Sequence, residues 1–231
     1  MNNINYNHSQ NLHVTDGSSI IFPIINDKYK PKSVLDVGCG LGTWLKIVSS
    51  YRIEDFLGID GIEVSDTDFF VTKDKFRKID LTNSWDLGRK FDLILCLEVA
   101  EHLPEESSIS LVSCLTAHSD IIVFSAACPR QAGQGHINCQ WPVYWQEIFN
   151  RNGFICGDEI RSLIWNMDFP EYWYKQNIFI AKKDPVNAGS EKRIASIIHP
   201  DASAGLRSNL NLLIHSLSYP MRRGLYKLLN F

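Results

Sequence analysis

Residues 34–44, Val-Leu-Asp-Val-Gly-Cys-Gly-Leu-Gly-Thr-Trp, constrain the fold more than any other stretch of the chain. β-favouring residues run into Asp36, then a glycine-rich turn, then an amphipathic segment. That order predicts a buried strand, a tight loop and a helix whose first N–H groups point back at the loop. Gly38 and Gly40 have no Cβ, so the main chain there can approach a ligand closely. In an open α/β sheet such a crevice takes a nucleotide-like ligand at the C-terminal ends of the strands. The dinucleotide fingerprint G-x-G-x-x-G requires glycine where this chain has Thr43, and the spacing found is G-x-G-x-G, ending at Gly42.

Four later segments continue the series of strands, and three of them end in an acid. Phe56-Leu57-Gly58-Ile59-Asp60-Gly61 ends in an acid about 20 residues past the loop, where carboxylates grip ribose hydroxyls. Lys78-Ile79-Asp80-Leu81 marks a third strand end, and Phe91 to Glu98 a fourth strand, followed by Val99-Ala100-Glu101-His102-Leu103. Ile121 to Ala126 is a fifth, buried strand. From Ser33 to about Ala126, strands alternate with short helical patterns, which predicts a parallel, doubly wound sheet. Any one of these acids is equally well explained as a turn former or helix cap. Their recurrence at the ends of consecutive strands is what points to a site.

Together these segments, led by V-L-D-V-G-C-G-L-G-T, resemble the motifs of class I S-adenosylmethionine (SAM) methyltransferases over residues 30–183. The resemblance implies an α/β fold, a Rossmann-like doubly wound seven-stranded sheet, mostly parallel with one antiparallel strand. That antiparallel strand follows from the resemblance, not from periodicity. The resemblance also implies SAM as cofactor, with Asp60 on the ribose, Ile62 against the adenine, Asp80 reaching the adenine amino group and Leu81 near the ring. Asp36, Gly38, Cys39, Gly40, Gly42, Gly61, Leu97 and Glu98 complete the implied cofactor-binding set. No N-P-P-Y-like or D-P-P-Y-like tetrapeptide follows the fourth strand, which argues against amino-methylation of nucleobases.

A methyl donor that is already activated leaves the protein to orient the acceptor and remove its proton. Glu98-Val99-Ala100-Glu101-His102 offers two carboxylates and an imidazole, a set that suits Mg2+ or Mn2+. This E-x-x-E-H pattern resembles ubiquinone-biosynthesis O-methyltransferases and small-RNA 3′-terminal 2′-O-methyltransferases, which implies metal ligands at Glu98, Glu101 and His102, with His136 as a fourth. The same pattern also occurs with a purely structural histidine and no metal. Gly133-Gln134-Gly135-His136 forms a loop after the fifth strand that presents His136, a natural base near neutral pH. The run G-H-I-N-C-Q-W-P-V-Y-W resembles one in small bacterial methyltransferases associated with glycan or natural-product gene sets. His136, His102 and Glu101 are the expected catalytic groups. Rings in Trp165 to Tyr174 offer either a stacking surface for an acceptor or a cap over the sheet end.

The 231 residues are 45% hydrophobic and 21% charged, enough for one domain with extensions. A net charge of −3 creates no general attraction for nucleic acid or anionic membrane. Six cysteines without a C-x-x-C pair exclude zinc and thioredoxin-like readings and suit buried thiols in a cytoplasmic protein. The first residues carry no signal-peptide pattern, and no apolar run is long enough to span a bilayer. The expected layout is an N-terminal lead-in or lid over 1–29, the SAM-binding domain over 30–183, and a linker with a C-terminal helical extension over 184–231. Residues 18–29 are expected to form an N-terminal helix whose boundary Pro23 leaves open, and 141–149 another. Segments 154–164 and 177–182 are expected to be a closing strand pair. The C-terminal extension would dock on the domain, on a second copy in a homodimer, or on a membrane surface through the basic stretch at 221–227. The leading expectation is SAM-dependent O-methylation of a small molecule or saccharide. The alternatives are 2′-O-methylation of an RNA 3′ end and a catalytically silent SAM-binding subunit.

Overall fold

The computed structural model describes residues 14–63 and 69–202. Seven strands form one sheet in the order β3-β2-β1-β4-β5-β7-β6. They are β1 (Ser33–Val37), β2 (Asp55–Asp60), β3 (Phe76–Lys78), β4 (Leu93–Leu97), β5 (Ile121–Ser125), β6 (Phe154–Gly157) and β7 (Phe179–Lys183). The first five run parallel. β7 is antiparallel to both β5 and β6, as the resemblance implied.

Both faces are covered, so the central strands are mostly apolar rather than alternating with polar residues, with Asp36 and Ser125 the buried polar residues toward their C-terminal ends. Leu35, Val37, Ile94, Ile122 and Phe124 face one core, packed with α3 (Ser108–His118) and α4 (Pro142–Arg151). Val34, Leu93, Leu95, Val123 and Ile180 face the other, under α1 (Asp16–Tyr29), α2 (Thr43–Ser50) and α5 (Glu159–Ile164). α1 continues through Pro23, although proline removes a backbone donor there. Ile21, Phe22 and Ile25 on either side of it are fully buried, each worth about 1.5–3 kcal/mol, which outweighs the lost hydrogen bond. The six cysteines are free thiols and all but Cys139 are buried.

Two sequence expectations are corrected. Only Phe154–Gly157 of the 154–164 segment is strand; Glu159–Ile164 is helix α5. Ile160 and Ile164, one helical turn apart, are fully buried on its inner face. The alternation of strands and helices also lapses between β3 and β4. Among the described residues, 79–92 contains no helix. Leu81, Trp85 and Phe91 reach into the core from irregular chain instead, and His118 of α3 pins the segment by accepting the Leu87 N–H at 2.9 Å.

The chain divides into two compact units, 1–197 and 198–231. The expected C-terminal extension from 203 onward and residues 1–13 of the N-terminal lead-in lie outside the described residues. Among the described residues, no helix is long and apolar enough to cross a membrane.

Within the first unit, Glu191 fastens the stretch after β7. Its carboxylate accepts Gln146 Nε2 at 2.9 Å, Asn150 Nδ2 at 2.6 Å, the Cys156 N–H at 3.1 Å and the Gly189 N–H at 2.8 Å. Partial burial pushes this carboxyl up, but the donors from Gln146, Asn150 and the backbone win and bring it down to about 2. Its folded value lies below the ordinary 4.5, so the contribution is present above that value and lost as pH falls toward 2. Glu191→Gln is therefore expected to lower the melting temperature by about 2–4 °C near neutral pH. The gap between the two proteins closes in thermal melts taken at progressively lower pH.

Candidate active site

The loop after β1 is held from below and from the side. The Gly38 and Cys39 N–H groups donate to Ile59 O at 2.7 and 3.1 Å. Gly38 has φ +75°, and a Cβ there would lie 2.3 Å from Val99 Cγ2, so only glycine fits. Asp60, at the end of β2, accepts the Gly40 N–H at 2.9 Å through one oxygen and the Ile62 N–H at 2.8 Å through the other. It thereby ties the glycine loop to the next strand end. Asp36 lies beneath the loop with Oδ2 unpaired. Burial, and then the Asp60 charge, raise its carboxyl to about 8.

Two cavities meet at Glu98 and His102. The smaller, about 70 Å³, is lined by Asp60, Gly61, Ile62, Leu81, Val99 and Leu103 besides those two. The larger, about 260 Å³, runs from Cys39, Gly40 and Leu97 to the 131–136 loop, with Trp44, Trp173 and Tyr174 on its other wall. Cys39, Gly40, Asp60, Gly61, Ile62, Leu81, Leu97 and Glu98 thus line two neighbouring cavities over the ends of β1, β2 and β4. Asp80 does not line either cavity. Its carboxylate accepts the Thr82 N–H at 2.9 Å, the Thr82 hydroxyl at 2.6 Å and Asn83 Nδ2 at 2.8 Å. These bonds, those from Thr82 foremost, hold it below the usual carboxylate range.

At the junction, Glu101 is fully buried, with its carboxyl beside the Glu98 carboxyl and the Ala127 backbone. Burial, and then the Glu98 charge, push its carboxyl well above the ordinary value. Burial also raises Glu98, opposed by the amide donors of Asn177 and Gln131. These sit 3.1 Å from Oε1 and 2.9 Å from Oε2. Glu101 and His102 lie in a separate 3-10 turn, Ala100–His102, rather than opening the long helix after β4. The 131–138 loop folds over this turn, and the Ile137 and Asn138 N–H groups both donate to Glu101 O, at 2.8 and 3.0 Å.

His136 Nε2 lies 4.0 Å from Glu101 Oε1, and the His136 and His102 rings are 5.0 Å apart. Glu101, His102 and His136 each offer one ligand atom, and these atoms lie within 4.8 Å of one another. Glu98, named with them from the sequence, is engaged by the two amides instead.

Sequence reasoning missed Gln131, Asn177 and Glu171. Glu171 accepts the Gly17 N–H with both oxygens, at 3.1 and 3.2 Å, and so caps α1 from the cavity wall. Gly17 and Glu171 lie 154 residues apart, and no local pattern announces such a contact. Trp44 and Tyr174 were legible as aromatic positions but not as partners. The indole N–H donates to the Tyr174 hydroxyl at 3.1 Å.

A family model described as a methyltransferase domain matches residues 20–169. No curated protein matches the chain. Among solved structures, the sugar N-methyltransferase KedS8 from Streptoalloteichus sp. aligns with a TM-score of 0.57 at 13% identity, over 76% of this chain and 89% of its own. SAM-bound CalS10, an amino pentose methyltransferase from Micromonospora echinaspora, gives 0.53 at 14% identity, over 76% and 93%. The SAM-bound magnesium protoporphyrin IX methyltransferase from Synechocystis gives 0.52 at 22% identity, over 74% and 79%. At these identities the likeness is one of fold.

Proposed function

The chain belongs to the methyltransferase-domain family of class I fold, and on that premise we propose that it transfers the methyl group of SAM to an oxygen of a small molecule or saccharide. The observation that carries this reading is the pair of neighbouring cavities, one at Asp60 and one at Glu101 and His136, that share Glu98 and His102 in their walls. SAM, when bound, supplies a methyl group already activated on its sulfonium. The residues present fit it: a glycine loop too tight for a Cβ at Gly38, a strand-end carboxylate at Asp60, and apolar Ile62, Leu81 and Leu103 for a flat ring.

His136 takes the proton of the acceptor hydroxyl at Nε2. Glu101 lies beside it, 4.0 Å from Nε2, with its carboxyl pushed well above the ordinary value by burial and then by the Glu98 charge. Trp44, Trp173 and Tyr174 supply the wall against which the acceptor lies. The larger cavity is lined by Glu98, Glu101 and Glu171, with no lysine or arginine among the described residues. That lining supports a neutral acceptor over the phosphates of an RNA end. The test is incubation with methyl-labelled SAM and a panel of neutral saccharides, phenols and RNA. Label in a saccharide or phenol is expected; label in RNA alone would overturn the acceptor class.

A specific observation favours one second reading. Glu101, His102 and His136, whose ligand atoms lie within 4.8 Å of one another, would hold a divalent ion. Two imidazoles and one carboxylate suit Mn2+ better than Mg2+. There it would lower the pKa of the acceptor hydroxyl. The base reading expects turnover to survive exhaustive chelation. Loss on chelation, restored by Mn2+, would make His136 a ligand rather than the base.

A further inference from the structure

Four non-glycine residues among those described adopt left-handed backbone, and two of them need no special explanation. Lys30 caps the end of α1, and Arg52 follows the end of α2. The other two, Glu98 with φ 55° and Arg130 with φ 73°, flank a single hydrogen-bonded cluster. Backbone held in this region costs about 1–3 kcal/mol and persists where the surroundings over-determine it.

Gln131 is the centre of that cluster. Its Nε2 donates to Glu98 Oε2 at 2.9 Å, and its Oε1 accepts Asn177 Nδ2 at 2.8 Å and Gln176 Nε2 at 3.1 Å. Its backbone carbonyl lies 3.0 Å from His136 Nδ1. A carbonyl oxygen can only accept, so Nδ1 carries the proton, and the neutral ring has its lone pair on Nε2. Gly133 completes the arrangement. A Cβ on Gly133 would fall 2.0 Å from His136 Nε2, so the imidazole occupies the space that any side chain there would need.

We propose that Gln131 and Gly133 are positioning residues that fix His136 in one tautomer and one pose, with Nε2 turned to the cleft. Gln131 thereby couples His136 to Glu98, at the junction of the two cavities. The Gln131 side chain holds the loop to the end of β4 and to the segment before β7, and its carbonyl sets the tautomer. Gly133 leaves room for the ring. This inference rests on the reading of His136 as the base, but its readout does not depend on turnover.

The test uses the full chain, labelled with nitrogen-15 and loaded with S-adenosylhomocysteine. Two-bond proton–nitrogen spectra of the histidine rings report the tautomer, and the His136 signals are identified by their loss in His136→Gln. The unmodified protein is expected to show His136 protonated at Nδ1 alone. Gly133→Ala places a methyl group against the far end of one side chain, and its backbone φ is not in the left-handed range, so the fold is retained. Its single-tautomer signature is expected to disappear, and kcat for any labelled acceptor to fall about 100-fold with little change in KM. Gln131→Met keeps the length without the amide and is expected to scramble the tautomer in the same way, whereas Gln131→Asn restores it in part. Finding His136 protonated at Nε2 in the unmodified protein, or an unchanged signature in both Gly133→Ala and Gln131→Met, would overturn the proposal. If the signature behaves as expected while His136→Gln keeps full turnover, the positioning stands and the base reading falls.

Discussion

Asp60→Ala is expected to weaken S-adenosylhomocysteine binding about 100-fold or more without unfolding the protein. The carboxylate accepts the Gly40 and Ile62 N–H groups, one per oxygen. It thus sets the distance between the glycine loop and the floor of the smaller cavity. Hydrogen bonds to a charged group contribute about 1.5–3 kcal/mol each, and losing about 2.7 kcal/mol is a hundredfold in affinity. Ribose hydroxyls would be further partners of the same oxygens, so the alanine variant removes direct and indirect support together. Asp60→Asn separates the two. It keeps one acceptor for a backbone N–H but turns an NH2 toward the other, and is expected to fall between Asp60→Ala and the unmodified protein. Calorimetry on both variants, with circular dichroism as the check on folding, decides the matter. Unchanged affinity in Asp60→Ala would mean that the crevice holds the nucleoside by other groups.

The second large effect concerns the chemistry. His136→Ala is expected to lower kcat by about 100- to 10,000-fold, the range that a positioned general base supplies. S-adenosylhomocysteine affinity should hardly move. His136 reaches the cleft from a loop after β5, where it meets Gln131 O, Glu101 and the His102 ring rather than the Asp60 end. A proportional fall in affinity and turnover would reassign His136 to building the pocket. A chain that binds S-adenosylhomocysteine tightly yet shows no turnover on any acceptor, with or without His136, would be a SAM-binding subunit rather than an enzyme.

How far the sequence carries depends on how local each determinant is. β1, its glycine turn and α2 are contiguous, and each residue in them acts on near neighbours, so this unit is legible. β2, β4 and β5 are short apolar runs buried on both faces, and they too declare themselves. β7 does not. Its antiparallel place between β5 and β6 is set by pairing across the sheet, Ile122 with Ala181 and Cys156 with Ala181. No periodicity within Phe179–Lys183 encodes that, and it came from resemblance alone. Between β3 and β4, a crossover helix was a reasonable inference from the alternation. Trp85 and Leu81 fill the space from an irregular segment, and bulk at two positions satisfies the sheet face without a helix.

The site divides in the same way. Gly38, Asp60, Glu101 and His136 carry their chemistry in their residue type. The partners that decide what each can do lie far off in the chain. Glu98 looked like a metal ligand by spacing, yet Asn177, 79 residues later, and Gln131 take its oxygens. For Asp80, a contact with the cofactor's adenine is what the resemblance implies. In the structure its carboxylate turns back to Thr82 and Asn83, the local bonding that aspartate favours in turns.

The central claim is that the crevice above β1, β2 and β4 binds the SAM nucleoside, and calorimetric titration of the unmodified protein with S-adenosylhomocysteine tests it most directly. The account predicts saturable one-site binding in the micromolar range that is lost in Asp60→Ala. No heat of binding from a protein that melts cooperatively would contradict it.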